Sequence, residues 1–134
     1  MYKNILFKST DGHEIISFSN FKLSYDSDYK RVVYQVTIDF DFFKANTFLD
    51  GEEFDFINMK QSLKKLYLKE WESFIFNPIG EQFNMKFTLD NEEKIKIHSV
   101  LYNLMFTGKL EIDFFLNRKI LPELIKNIDD IFGD

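Results

Sequence analysis

The clearest periodic pattern in the chain covers residues 31–43, which read RVVYQVTIDFDFF. Every second position, starting at Val32, is apolar, and the intervening positions are mostly polar. Side chains of a β-strand alternate between two faces, so this segment is predicted to be a long strand with one face on a core. The apolar face consists of Val32, Tyr34, Val36, Ile38, Phe40 and Phe42. We expect its central members to be buried against the first helix or the last one.

Two shorter apolar segments precede this strand, at residues 3–8 and 14–23. The turn signal Asp11-Gly12 separates them, because glycine accepts the positive φ that hairpin turns need. The apolar positions of the second segment change parity near Ser19-Asn20. Such a change predicts a β-bulge at that point.

After the central strand, residues 44–53 are mostly polar and are predicted to form a loop with a turn at Asp50-Gly51. Apolar residues then recur at three- and four-residue steps from Phe56 to Tyr67, as on one face of an amphipathic helix. Asp55 is the expected N-cap of this helix, because its carboxylate can accept hydrogen bonds from free backbone N–H groups.

The second half of the chain returns to strand patterns, at residues 71–76, 82–89, 94–105 and 109–116. Short turns join the last three, which makes them antiparallel neighbours. A helix follows from about residue 119, with Pro122 in its first turn and Gly133 at its end. This order predicts a single α+β domain over residues 1–134, in which one antiparallel sheet of six to seven strands carries two helices.

The amino-acid composition makes some classes of function less favourable than others. Hydrophobic residues make up 45% and charged residues 29%, as in an ordinary globular protein. The 17 phenylalanines are interpreted as core residues rather than as a ligand pocket. A net charge of −5 disfavours nucleic acid as a partner. No stretch approaches the length of a membrane span, and there is no cysteine, so we expect a cytoplasmic protein without disulfides.

Residues typical of catalytic or metal sites are sparse. The two histidines, His13 and His98, have no companions at ligand spacing, and His98 is expected to be a surface or half-buried structural residue. No glycine-rich phosphate loop and no recognisable setting for a nucleophile occur. We therefore expect no catalytic residues, no metal and no cofactor.

Acidic residues are the remaining candidates for a site, in and around the central strand. They are Asp26, Asp28, Asp39, Asp41, Asp50, Glu52 and Glu53. Carboxylates can bind Mg²⁺ or Ca²⁺, and a facing pair can hydrolyse glycosides, but the EF-hand spacing is missing. They can also form a solvated strand face and favourable helix N-terminal charges. A further hypothesis is that one continuous acidic edge holds a basic protein partner.

The layout resembles that of the WapI-type immunity proteins, small cytosolic bacterial proteins that protect a cell from its own contact-delivered toxin. An aspartate-rich turn at residues 25–29 leads into the strong strand, and a helix ends at residues 66–68. The segments FIFNP, at 74–78, and GKLEIDFF, at 108–115, follow in the same order. The resemblance implies a non-enzymatic binding protein whose partner is a cognate toxin domain.

Two hypotheses about function therefore stand beside each other. In the first, the protein binds and neutralises a toxin domain through its acidic residues, which mimic nucleic acid phosphates if the toxin is a nuclease with a basic cleft. In the second, it is a structural or assembly module that uses an apolar patch. An enzymatic function is the third and weakest.

Overall fold

A computed structural model describes residues 3–26, 29–78, 81–103 and 105–133. The elements of this part of the chain are β1 (Ile5–Lys8), β2 (Glu14–Asp26), β3 (Tyr29–Phe40), β4 (Phe43–Glu52), α1 (Glu53–Tyr67), β5 (Ser73–Phe76), β6 (Phe83–Leu89), β7 (Lys94–Tyr102), β8 (Lys109–Asn117) and α2 (Leu121–Phe132). A short 3-10 turn, Arg118–Ile120, leads into α2.

The strands form two antiparallel sheets of four strands each, in the orders β1-β2-β3-β4 and β5-β6-β7-β8. The predicted α+β class is confirmed, whereas the predicted sheet of six to seven strands is in fact two sheets. Each sheet is a meander, and each is followed in the chain by one helix. The first helix, α1, separates the two meanders in sequence, so the second meander packs onto the first instead of extending it.

The central strand is confirmed as β3. Val36 and Ile38 are buried, and Phe40 is half-buried at the end of the strand, so the predicted parity is correct. The strand stops earlier than predicted because Asp41, at φ 56°, begins a tight turn. Phe42 consequently leaves the apolar face on which its parity placed it and is 98% exposed.

The segment predicted to be a loop after this strand is instead β4, which pairs with β3 along its whole length. Asn, Asp and Gly are rare in strands, so their presence made a loop the expected structure. Ala45, Thr47 and Leu49 nevertheless point inward at every second position, as in a strand. The segment forms a strand because its backbone supplies hydrogen-bond partners to the N–H and C=O groups of β3. Gly51 pairs with Val32 within the strand and does not form a turn. Glycine suits this position because a Cβ there would come within 2.9 Å of the Asp55 carboxylate.

The predicted bulge in β2 is confirmed. Its register against β3 shifts between Ser19 and Lys22, and Asn20 takes a positive φ of 53°. The extra residue bends β2 and lets Phe18 and Phe21, which have opposite parity, both pack on the core.

The two sheets meet through aromatic side chains on their inner faces. Phe7 of β1 lies 5.9 Å from Phe87 of β6 between ring centroids. Phe18 of β2 lies 5.8 Å from Phe76 and 5.9 Å from Phe83. These phenylalanines are buried core residues, as the composition predicted, but six of the 17 are exposed instead, among them Phe42, Phe48 and Phe54.

The first helix buries the predicted apolar stripe, which comprises Phe56, Met59, Leu63 and Leu66. Asp55 is not the N-cap, because the helix begins at Glu53 and its N-cap is Glu52, three residues earlier than expected. The carboxylate of Asp55 instead accepts a hydrogen bond of 3.0 Å from the backbone N–H of Glu52. It therefore still satisfies a free donor at the helix N-terminus.

The second helix packs against the first. Phe132 stacks on Phe56 at 4.7 Å between ring centroids, and Lys60 Nζ lies 2.6 Å from Asp129 Oδ1. Pro122 lies in the first turn of α2, as predicted. In the four described ranges, neither this helix nor α1 is long and apolar enough to cross a membrane.

We predict that Phe56→Ala lowers the free energy of unfolding by about 3–5 kcal/mol, because it empties a fully buried site that touches both helices. The matched control is Phe42→Ala, which removes the same atoms from an exposed position and should change stability by less than about 0.5 kcal/mol. Urea denaturation measures both, and equal losses would contradict the assigned core.

Candidate functional site

The acidic residues predicted from the sequence divide between the two ends of the first sheet. Glu52 ends β4 opposite Arg31, near the start of β3, whereas Asp39 and Asp41 lie at the far end of β3. A strand rises about 3.3 Å per residue, so roughly 26 Å separates Arg31 from Asp39. The six of these residues that the structure describes therefore do not share one continuous edge. Asp28 lies outside the described residues.

The acidic residues at the Arg31 end are largely paired or buried within the chain itself. Asp50 accepts two hydrogen bonds from Arg31, one of them 2.7 Å long from Nε to Oδ1. These bonds hold the pKa of Asp50 below its ordinary value and that of Arg31 above it. Glu53 is only 7% exposed and contributes no free surface charge. Asp26 ends β2 at the same end of the sheet, and its side chain is not among those described.

Buried polar atoms lie behind this group, beside the N-terminus of α1. The hydroxyl of Tyr34 and Oε2 of Glu53 have no hydrogen-bond partner in the described part of the chain. Burial raises the pKa of Tyr34, and the nearby charge of Asp55 raises it further. Burial also raises the pKa of Asp55, against the opposing effect of its hydrogen bond from Glu52.

The group at the other end of the sheet lines an open groove of about 880 Å³. Asp39 lies near the end of β3 and Asp41 in the β3–β4 turn, whereas Asp11 lies in the β1–β2 turn and Glu14 begins β2. Apolar side chains complete its lining, namely those of Ile15, Phe40 and Phe115. The groove thus combines four carboxylates with an apolar surface.

Sequence reasoning missed Asp11 and Glu14 as members of this group, although it recognised the Asp11-Gly12 turn. In an antiparallel meander, the first and third turns fall at the same end of the sheet and the second turn at the other. The pairing of β2 with β3 places Ile16 opposite Ile38, which brings the two turns together. The meander order was the signal that could have grouped these residues.

The carboxylates of the groove are only weakly neutralised. Asp11 accepts a hydrogen bond from Ser9, which lowers its pKa, and lies 3.8 Å from His13. Among the described residues, Glu14, Asp39 and Asp41 form no ion pair within 4 Å. These groups are free to contact a cation from outside.

The β3–β4 turn also carries two aromatic side chains into solvent beside the groove. Phe42 is almost fully exposed, and its neighbour Phe43 is 58% exposed. Their backbone positions are held by the closed pairing of Phe40 with Phe43. Large aromatic side chains in this setting are typical anchors of protein interfaces.

A second cluster of titratable groups lies on the outer face of the second sheet. His98 Nδ1 is 2.6 Å from Asp113 Oδ1, and its Nε2 is 3.0 Å from Glu111 Oε1. His98 is half-buried there, which agrees with the structural role expected from the sequence. In the ranges that the structure describes, no three histidine or carboxylate side chains are arranged to hold a metal ion.

Comparison with known proteins adds little about function. No family model and no curated protein matches the chain. A plant transcriptional regulator, PBF-2, is a similar solved structure, with a TM-score of 0.47 and 9% sequence identity over 98% of this chain and 80% of that one. A likeness of this degree carries no functional argument.

We predict that Asp55→Asn removes a contribution to the free energy of unfolding that falls as the pH rises on the acid side of the stability profile. The raised pKa of Asp55 means that the folded state binds its proton more tightly than the unfolded state. The contribution of Asp55 to the free energy of unfolding therefore falls as the pH rises from the pKa of this residue in the unfolded state through its pKa in the folded state. The stability of the wild type minus that of the variant, from urea titrations at several pH values, should decrease over that window. A difference that increases with pH would contradict the assigned shift.

Proposed function

We propose that this protein is a non-enzymatic, immunity-like protein that binds a basic toxin domain in the cytoplasm of the producing cell and blocks it. The observation that supports this proposal is the groove that carries Asp11, Glu14, Asp39 and Asp41. Its carboxylates are held on two hairpin turns of one rigid sheet, so they meet a partner without first having to be ordered.

The chemistry of the groove suits arginine and lysine side chains. A carboxylate forms charge-assisted hydrogen bonds to guanidinium or ammonium groups. The apolar lining, including Ile15 and Phe40, can cover the aliphatic stems of the same side chains. A basic loop can therefore bury its stems while its charges are neutralised.

The charge of the whole protein assists the encounter. A net charge of −5 attracts a basic partner over distances up to a Debye length, about 8 Å at physiological salt. If the toxin is a nuclease, its substrate cleft is positively charged, and carboxylates at the groove can take the places of the phosphates. Neutralisation then follows from occupation of that cleft.

An assembly module remains the second candidate, and the exposed β3–β4 turn favours it. Phe42 and Phe43 offer an apolar contact that does not depend on the charge of the partner. Salt separates the two functions, because it screens the carboxylates and strengthens the burial of apolar surface.

We predict that the double variant Asp39→Lys and Asp41→Lys lowers the rate of association with a toxin domain encoded beside this gene by about tenfold to a hundredfold at low salt. The loss should shrink at high salt, because the steering it removes is already screened. Stopped-flow fluorescence at several salt concentrations measures both effects.

The matched control for this experiment is the double variant Glu72→Lys and Asp90→Lys. Both residues are exposed and neither lines the groove, yet the change in net charge is the same. A control that slows association as much as the groove variant would show that only net charge matters. Unchanged binding by both variants would contradict the acidic groove as the contact.

We predict that Phe42→Ala weakens binding to the same toxin domain about thirtyfold if the turn anchors the complex, which is a typical loss at an interface hot spot. Isothermal titration calorimetry measures the dissociation constant. Because Phe42 is exposed, the variant should stay as stable as the wild type, and a loss of binding cannot then be assigned to unfolding. An unchanged affinity would show that the Phe42 side chain is not part of the interface.

A further inference from the structure

The outer edge of β4 pairs with no other strand among the described residues. The strand has β3 on one side and is the last of its sheet. Alternate residues of Phe43–Glu52 therefore present N–H and C=O groups that a further strand can bind, because the other residues bond to β3. Such an edge accepts an extended polypeptide, because only a β-strand repeats its hydrogen-bonding groups at the same spacing.

Space for a further strand exists beside this edge. A groove of about 580 Å³ separates Ala45, Asn46 and Thr47 of β4 from the β7–β8 turn region. Its other side carries apolar residues that include Met105 and Leu110. No described element fills the groove, so a strand added to β4 would lie along its open side.

The order of side chains along β4 is self-complementary. Lys44 and Asp50 lie three residues on either side of Thr47, and all three belong to a strand with no break in its register. In an antiparallel pair of two β4 strands centred on Thr47, Lys44 of each copy falls opposite Asp50 of the other. The Asp50 carboxylate, although bound by Arg31, stays half exposed and can accept a further hydrogen bond. One twofold axis therefore generates two ion pairs, as an isologous contact requires.

A further feature of the strand fits the same register. Phe48, which is 59% exposed on the outer face, falls diagonal to Phe48 of the second copy. Cross-strand aromatic contacts of this kind stabilise a sheet.

From this register we propose that β4 pairs with β4 of a second copy of this chain, in antiparallel orientation centred on Thr47, to form a continuous eight-stranded sheet across a twofold dimer. The acidic groove lies beyond the Phe43 end of β4, whereas the proposed pairing uses the edge of β4 itself. The proposal does not depend on the identity of any toxin partner.

The test uses two full-length variants, Lys44→Glu and Asp50→Lys. In the homodimer of each variant, like charges lie opposite one another at two places, which should raise the dissociation constant about tenfold. When the two variants are mixed, the new glutamate at position 44 of the first variant falls opposite the new lysine at position 50 of the second, and these charges attract. The other cross-strand pair keeps its natural residues. The mixture should therefore dimerise about as tightly as the wild type, as measured by sedimentation velocity.

Thermal unfolding of each variant confirms that it folds, and Asp90→Lys is the control for a charge change away from β4. Recovery of the dimer only on mixing supports both the interface and its register. A wild-type protein that stays monomeric at about 1 mM overturns the proposal. A dimer that neither variant weakens, or one that mixing does not restore, overturns it as well.

Discussion

The structure depends on the packing of Phe18 at the junction of both sheets and the first helix. Its ring centroid lies between 5.3 and 6.0 Å from those of five other aromatic residues, which are Phe7, Tyr34, Phe56, Phe76 and Phe83. These residues come from β1, β3, α1, β5 and β6, so one side chain connects elements that are distant in sequence. Edge-to-face contacts of this kind add to the free energy of burial. Five of the 17 phenylalanines lie in this cluster, and six others are exposed at the surface.

The same packing determines which ends of the strands are available for function. Because the inner face of the first sheet is covered by the second sheet and the helices, partners can reach only the turns, the outer faces and the free edges. The Arg31 end is occupied by an internal ion pair with Asp50 and by the start of α1. At the opposite end, Glu14, Asp39 and Asp41 form no ion pair with another described residue, which makes that end the better candidate for binding a basic partner.

Two surfaces of different chemistry meet at the β3–β4 turn. The acidic groove begins on one side of Phe42 and the free edge of β4 begins on the other. The first surface is acidic, whereas the second offers unpaired backbone groups of an edge strand. The contact proposed with a basic partner and the pairing proposed between two copies therefore differ in chemistry, and salt should affect them differently.

Sequence alone determined the features that local patterns encode: the parity of β3, the bulge at Asn20, the buried stripe of α1 and the antiparallel second half. It did not predict β4, because that strand is polar and is stabilised by backbone pairing with β3 rather than by its own pattern. The division into two sheets and the grouping of Asp11 with Asp39 were decided by tertiary structure alone. Both depend on which strands pair and which faces meet, and those contacts join residues far apart in the chain. Local propensity carries no information about them.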